Sequence, residues 1–180
     1  MSALQQGMGG LALILGFALL CSRRFGIALA WTGAQALMVS VALAAASDLP
    51  AAVANVMLSG VLVPFLFSHL QGVLPHPMED RAALPRTLAA AGVLSVLAAP
   101  AGPLALPLAI MLIGLLLVAS RRAPSFQGFG LCAMQQAALL AASTGKGDST
   151  ALPSLMLAIP VLPALALGSL WLARAEASRP

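Results

Sequence analysis

Of the 180 residues, 61% are apolar and 8% charged, and the mean hydropathy is +1.00. A soluble domain keeps about 25% charged residues to wet its surface, so that class is excluded. The net charge of +4 comes from short basic clusters between apolar runs, which act as topology determinants and exclude a nucleic-acid surface.

Strictly alternating polar and apolar stretches are missing, so the apolar runs read as helices and not as barrel strands. Residues Met1 to Gly7 carry no basic n-region, and the first run has no convincing cleavage site, so no secretory leader is expected. The first span covers 4–21 and is followed by Ser22-Arg23-Arg24. The second, 25–47, carries Trp31 well inside it, and Gln35. Its small-residue stripe Gly26, Ala30 and Gly33 predicts close helix packing. Asp48-Leu49-Pro50 opens the third span, 50–72, which holds Asn55 and Ser59, is interrupted by Pro64, and carries His69 near its end.

A loop with Glu79, Asp80 and Arg81 precedes a short fourth span, 85–99, whose Arg86 must snorkel to the interface. Pro100 and Pro103 mark a tight turn into the fifth span, 102–120. Arg121-Arg122 leads to the sixth, 124–143, with Gln135 and Gln136 inside it. Lys146 and Asp148 precede the seventh, 151–173, which is interrupted by Pro160 and Pro163 and has Trp171 at its end as an interfacial anchor. The expected fold is therefore all-α and polytopic, with seven transmembrane helices.

Orientation follows from charge. Of the nine basic residues, Arg23, Arg24, Arg81, Arg86, Arg121, Arg122, Arg174 and Arg179 fall on one side, and Lys146 alone on the other. This bias predicts an outside N-terminus and a cytoplasmic C-terminus in a cell inner membrane. Cys21 and Cys132 then lie toward the reducing side and read as small packing residues, with a metal or redox role as the alternative.

Two stretches share a plan. Ser22-Arg23-Arg24, a helix with Gln35, then Asp48 and Pro50 parallels Ser120-Arg121-Arg122, a helix with Gln135 and Gln136, then Asp148 and Pro153. Each unit has three helices, and the extra fourth span restores the second to the same orientation, which predicts two parallel repeats. The corresponding division is 1–74 for the first repeat, 75–101 for the loop and connecting helix, and 102–180 for the second repeat and tail. Gln35 and Gln135 lie ten and eleven residues past their helix starts, about 16 Å deep at 1.5 Å per residue, near the middle of a ~30 Å core.

All five acids (Asp48, Glu79, Asp80, Asp148, Glu176) fall in loops, span ends or the tail. His69 is the titratable side chain left within a span. It reads either as an interfacial histidine bonded to water or a carbonyl, or as a point where protons enter. Gln35, Gln135 and Gln136 donate and accept hydrogen bonds but exchange no proton near neutral pH. They read as interhelical glue, or as part of a hydrated polar track or quinone contact, and Asn55 and Ser59 invite the same pair of readings. No Gly-x-Ser-x-Gly, Cys-x-x-Cys, His-Glu-x-x-His or phosphate loop is present, so the chain is not expected to be an enzyme by itself.

The stretch 115–142, with Ser120-Arg121-Arg122, Gln127, Gly128 and Leu131 to Gln136, resembles the component E subunit of hydrogenase-4-type membrane complexes. The second half of that family is itself similar to the small K subunit of respiratory complex I. Ser22-Arg23-Arg24 through Gln35 to Leu43 resembles the family's second helix, and Val61-Leu62-Val63-Pro64 its third. Two departures stand out. Where the family carries a membrane glutamate followed by asparagine, this chain has Gln135 and Gln136, and where it carries a lysine before the Val-Leu-Val-Pro stretch, this chain has Ser59 and Gly60.

The resemblance implies a structural subunit packed between antiporter-like and redox-arm-anchoring subunits. It implies no cofactor in this chain, with Fe–S or NiFe centres in the partners. The departures remove the family's proton relay from what can be carried over. Arg23, Arg24, Arg121 and Arg122 would dock peripheral redox subunits or lipid headgroups. Two other readings stand beside this one: a free-standing parallel-repeat transporter for a neutral solute, with a midplane site at Gln35 and Gln135, and a lone assembly factor.

Overall fold

The computed structural model describes residues 2–70, 84–121 and 123–144, apart from the side chains of residues 66, 68–70, 124 and 125. The expected seventh span, the loop with Glu79, Asp80 and Arg81, Arg122, and the His69 side chain lie outside that description.

Among the described residues every regular element is helical. Helix α1 (Ala3–Cys21) starts where the Ser2 hydroxyl accepts from the Gln5 N–H at 3.2 Å, and ends where Ser22 turns extended. Helix α2 (Phe25–Ala45) ends in a left-handed residue, Ser47, at φ 67°. There the Ser47 N–H donates to the Ala44 carbonyl at 3.0 Å and the Asp48 N–H to the Leu43 carbonyl at 3.1 Å, so the exposed end of the helix satisfies itself. Asp48 then caps the next element, its carboxylate accepting from the Ala51 N–H at 3.2 Å.

That element is not one helix broken at Pro64. It runs as α3 (Leu49–Asn55), a π-helical segment (Val56–Leu62) and α4 (Val63–Leu70). Pro64 has no N–H to offer the carbonyl one turn back. The chain absorbs the mismatch ahead of the proline by taking one more residue into each hydrogen-bonded turn, and the Val63 N–H reaches back to the Leu58 carbonyl. The interruption thus begins at Val56, deeper in the bundle than the proline alone indicates.

Helix α5 (Leu84–Ala98) is followed by a short 3₁₀ segment (Ala99–Leu104), α6 (Ala105–Ser120) and α7 (Pro124–Thr144). Gly102 takes φ 59° and ψ −122°, a value that breaks any helix, and α5 lies alongside α6. The proline-flanked turn therefore reverses the chain, as its sequence predicts. Three stretches have the length and composition to cross a membrane: Ala3–Cys21, Phe25–Ala45 and Leu84–Ser120, the last divided by the reversal at Gly102 into helices of 15 and 16 residues. Helices of 19 and 21 residues are about 28 and 31 Å long, which matches a ~30 Å hydrocarbon core. Helix α7 has 21 residues but a more polar composition, because it carries Gln127, Gln135 and Gln136 and is screened by its neighbours.

Helix α7 packs chiefly on α6 and α2, α1 packs on α2 and α6, and the third element lies against α2. The outer surface is as apolar as the interior: Ile14 is 62%, Leu97 66% and Val96 72% exposed. An amphipathic soluble helix would turn these residues inward, whereas lipid accepts them outward.

Of the glycine positions among the described residues, the tightest are where α6 meets α7. A Cβ built on Gly114 would lie 2.8 Å from the Gly130 carbonyl oxygen, and one on Gly130 would lie 2.7 Å from the Gly114 oxygen. The glycine stripe expected to pack closely, Gly26 and Gly33 on α2, has nothing within 4 Å of either added Cβ among the described residues. It lies on or beside the outward face of α2, with Gly26, Ala30 and Trp31 exposed. Small residues permit close approach, but the neighbour's own small residues decide where it happens, and α6 and α7 each bring a glycine to the same point.

Candidate functional site

Two apolar clusters divide the bundle. One gathers Leu19, Leu20, Phe25, Val63, Phe67, Leu117 and Phe129, among others, at the end where Arg23 and Arg121 lie. The second gathers Ala12, Val39, Leu43, Ala51, Ile110 and Leu140 at the opposite end. Between them, on α2, the third element and α7, lies a layer of neutral polar side chains: Gln35, Asn55, Ser59, Gln135 and Gln136, each at most 1% exposed. The five residues singled out from the sequence thus occupy one level.

Their bonding is uneven. Asn55 and Gln136 form a reciprocal amide pair, with Asn55 Nδ2 donating to Gln136 Oε1 at 2.9 Å and Gln136 Nε2 donating to Asn55 Oδ1 at 3.0 Å. Asn55 Nδ2 also faces the Ala36 carbonyl at 3.1 Å and Ser40 Oγ at 2.9 Å, so two hydrogens serve three oxygens. Ser40 in turn donates to the Ala36 carbonyl at 2.8 Å. One asparagine therefore ties α3 to both α2 and α7. The adjacent Gln135 makes a single long bond, Nε2 to Ser59 Oγ at 3.4 Å, onto the π segment. Its Oε1 is buried and has no hydrogen-bond partner among the described residues.

Gln35 behaves differently from the glutamines it matches in the repeat. Its Nε2 donates to the Ala12 carbonyl of α1 at 3.2 Å, and its Oε1 is likewise buried without a partner among the described residues. Gly16 lies beside this contact, and a Cβ there would come 3.6 Å from Gln35 Nε2, an ordinary van der Waals distance. So the first-unit glutamine binds back to the preceding helix, while the second-unit glutamines reach across to the third element.

The arginines sit at one end of the bundle. Arg23 and Arg24 are exposed. Arg121 turns inward: Nη2 donates to the carbonyls of Leu20 and Ser22, at 2.6 and 3.2 Å, which closes the C-terminus of α1. Its guanidinium lies over the Phe126 ring, 5.2 Å from the centroid. Burial, and then the neighbouring Arg23 charge, hold its pKa below the usual arginine value, while Cys21 acts the other way. The carbonyl of Arg121 accepts from Gln127 Nε2 at 2.9 Å.

Sequence reasoning missed two features. Phe25, Phe67 and Phe129 form an aromatic knot, with centroids 4.9 Å apart for the stacked Phe67–Phe129 pair and 5.3 Å for Phe25–Phe129. Their placement on three separate elements leaves no local signal. Gln5 Nε2 donates to Ser143 Oγ at 2.9 Å and staples α1 to the end of α7, and a lone glutamine in a first helical turn gives no hint of it. Among the described residues no three His, Cys, Asp or Glu side chains gather to hold a metal. No protein-family model, curated protein or solved structure matches this chain.

Proposed function

We propose that this chain is a non-catalytic, seven-span subunit of a hydrogenase-4-like or complex I-like membrane assembly, built as two parallel repeats, with its N-terminus outside and its C-terminus cytoplasmic. It packs between antiporter-like and redox-arm-anchoring subunits and carries no proton relay of its own. Redox centres, Fe–S or NiFe, belong to its partners.

The observation that carries this reading is the neutral amide layer. Every buried polar side chain among the described residues is uncharged: Gln5, Ser22, Thr32, Gln35, Ser40, Asn55, Ser59, Gln135 and Gln136. These groups brace helices and exchange no proton near neutral pH. The outward apolar surface supports contact with lipid and with other membrane subunits. The partner assignment rests on the resemblance carried by the two Ser-Arg-Arg-to-glutamine units.

A second reading is favoured by the unpartnered oxygens of Gln35 and Gln135. A small neutral solute with hydrogen-bond donors would satisfy them in a free-standing transporter. Purification from membranes separates the two. Co-migration with a hydrogenase-like or antiporter-like subunit is the expected result, and Gln135→Ala should reduce the amount of assembled complex more than turnover per complex. A stable homo-oligomer that moves solute in liposomes would refute the subunit reading. Normal assembly of Gln135→Ala with ion translocation abolished would refute the bracing role.

A further inference from the structure

Hydroxyls on these helices donate to the carbonyl three or four residues back: Thr32 to Ala28, Ser40 to Ala36, Ser95 to Ala91 and Ser143 to Leu140, at 2.8 or 2.9 Å. Ser59 departs from this pattern. It is 1% exposed on the π segment and accepts the 3.4 Å bond from Gln135 Nε2, but among the described residues its own O–H donates to nothing. Gln135 Oε1, at the other end of the same amide side chain, has no donor among the described residues. Whichever way that amide is turned, one polar end meets Ser59 and the other stays open.

The backbone leaves a third group open beside these two. In a π segment each N–H reaches five residues back, and the Val63 N–H that closes this one reaches the Leu58 carbonyl. The next donor in that register is residue 64, a proline with no N–H, so the Ser59 carbonyl loses its donor within the helix. An open hydroxyl, an open carbonyl and an open amide oxygen thus belong to one residue of the third element and the residue bonded to it on α7. Inside a span no bulk water reaches such groups, and each one left unmet is costly. Ser59 and Gln135 are both closed off from solvent. An occupant must therefore be small, and must both donate and accept.

We infer that a single buried water molecule is held here as part of the fold. It accepts from the Ser59 hydroxyl and donates to Gln135 Oε1 and to the Ser59 carbonyl, which supplies the roughly three hydrogen bonds a buried water takes. With the amide N–H already on Ser59 Oγ, the sequence amide, hydroxyl, water, amide oxygen closes a ring in which each bond strengthens the next. Gln35 offers no equivalent site. Thr32, one turn before it on α2, already donates to Ala28, and a lone open oxygen does not hold a water that needs about two to four partners. A cation is disfavoured because every buried polar side chain among the described residues is uncharged, which leaves nothing to offset its charge within a span. The third element therefore meets α7 twice: directly at Asn55–Gln136, and one turn further on through water at Ser59–Gln135. This site rests on the bracing reading of the amide layer and deepens it, and it is independent of which subunits the chain assembles with.

Solid-state NMR of the full chain in lipid bilayers, isotope-labelled at the glutamine side chains, reads the site directly. Proton magnetisation is selected on water, and its transfer to each side-chain amide is timed. Assignment through the backbone separates Gln135 from Gln136. The expected result is a build-up several-fold faster at Gln135 than at Gln136, whose amide is closed by Asn55. Ser59→Ala removes the water's donor and should slow Gln135 to the rate of Gln136. An unmoved Gln136 signal in that variant checks that the bundle is intact. Equal build-up at the two glutamines of the parent chain overturns the inference without any variant, and so does fast build-up at Gln135 that survives Ser59→Ala. Suppression of the transfer by added glycerol would show that the site takes a solute instead. A Gln135 signal that moves when sodium replaces choline would show a cation. Co-migration with partner subunits is measured separately, so the water site and the partner assignment can fail independently.

Discussion

Replacing Gly130 by alanine tests the tightest of the glycine contacts among the described residues. The new Cβ would lie 2.7 Å from the Gly114 carbonyl oxygen, 2.7 Å from Val118 Cγ2 and 3.0 Å from the Val118 nitrogen. A valine methyl can rotate away, but the two backbone atoms of α6 cannot. Ordinary contact begins at 3.4 Å, so α7 must retreat by about 0.7 Å along this line. Overpacking of this kind costs about 1–3 kcal/mol, and the better helix preference of alanine returns at most about 1 kcal/mol. A net loss of about 1–2 kcal/mol is expected. Gly114→Ala meets the same obstacle from the other side, with Gly130 oxygen and Met134 Cγ both at 2.8 Å. The double variant should therefore lose less than the sum of the two, since one displacement relieves both. Gly10→Ala and Gly92→Ala are the controls, because among the described residues nothing lies within 4 Å of either added Cβ. Reversible unfolding in mixed micelles, followed by circular dichroism, measures the five variants against the parent chain. If Gly130→Ala proves as stable as Gly10→Ala, the α6–α7 contact is not the one described here.

The Asn55–Gln136 pair should show coupling in a double-mutant cycle. Either alanine variant alone strands a buried amide at a cost of about 1–3 kcal/mol, and the second substitution should add less than its own value. Ser47→Gly should stabilise the chain by about 0.5–1 kcal/mol, since the position is left-handed and a serine Cβ opposes it, and a lower midpoint in the same unfolding assay would show that the turn is held differently. Cys21 is exposed at the arginine end and Cys132 is buried. A membrane-impermeant maleimide should therefore label Cys21 in inside-out vesicles but not in intact cells, and should reach Cys132 only after denaturation. Labelling of Cys21 from outside intact cells would reverse the proposed orientation.

How much of this was legible in the sequence depends on the range of the signal. Helix ends were readable because their causes are local: Asp48 followed by Pro50, the Pro100–Pro103 turn, and Ser22-Arg23-Arg24 each act within a few residues. The level of the polar layer was readable from helix rise, since Gln35 and Gln135 sit ten and eleven residues from their helix starts. Partners were not. Gln35 and Gln136 look interchangeable along the chain, yet one bonds to Ala12 on α1 and the other to Asn55 on α3. Helix rotation makes that choice, and rotation is set by packing such as the Gly114–Gly130 contact. The same reasoning bears on the glycine stripe of α2. Gly26 and Gly33 have the spacing for close approach, but no described helix comes near enough to use it. For the π segment, Pro64 announced a fault without revealing how far toward the N-terminus the chain would spread it.

The two adjacent glutamines end with different physical characters. At position 136 the amide must both accept from and donate to Asn55. An ionised carboxylate there would keep the acceptor but lose the donor, leaving Asn55 Oδ1 stranded in a buried layer beside an unpaired charge. Removing one partner of a buried polar pair in this way is far costlier than a surface change, and within a membrane span the penalty grows. Gln136 is thus fitted to neutrality by its partner. Gln135 is under no such constraint: its one bond, to Ser59, is long, and its Oε1 has capacity to spare. A clamp and an unfilled acceptor therefore stand side by side on α7. The clamp favours bracing as the main task of the layer, and the spare oxygen marks where a donor from water, solute or a neighbouring subunit would first be felt.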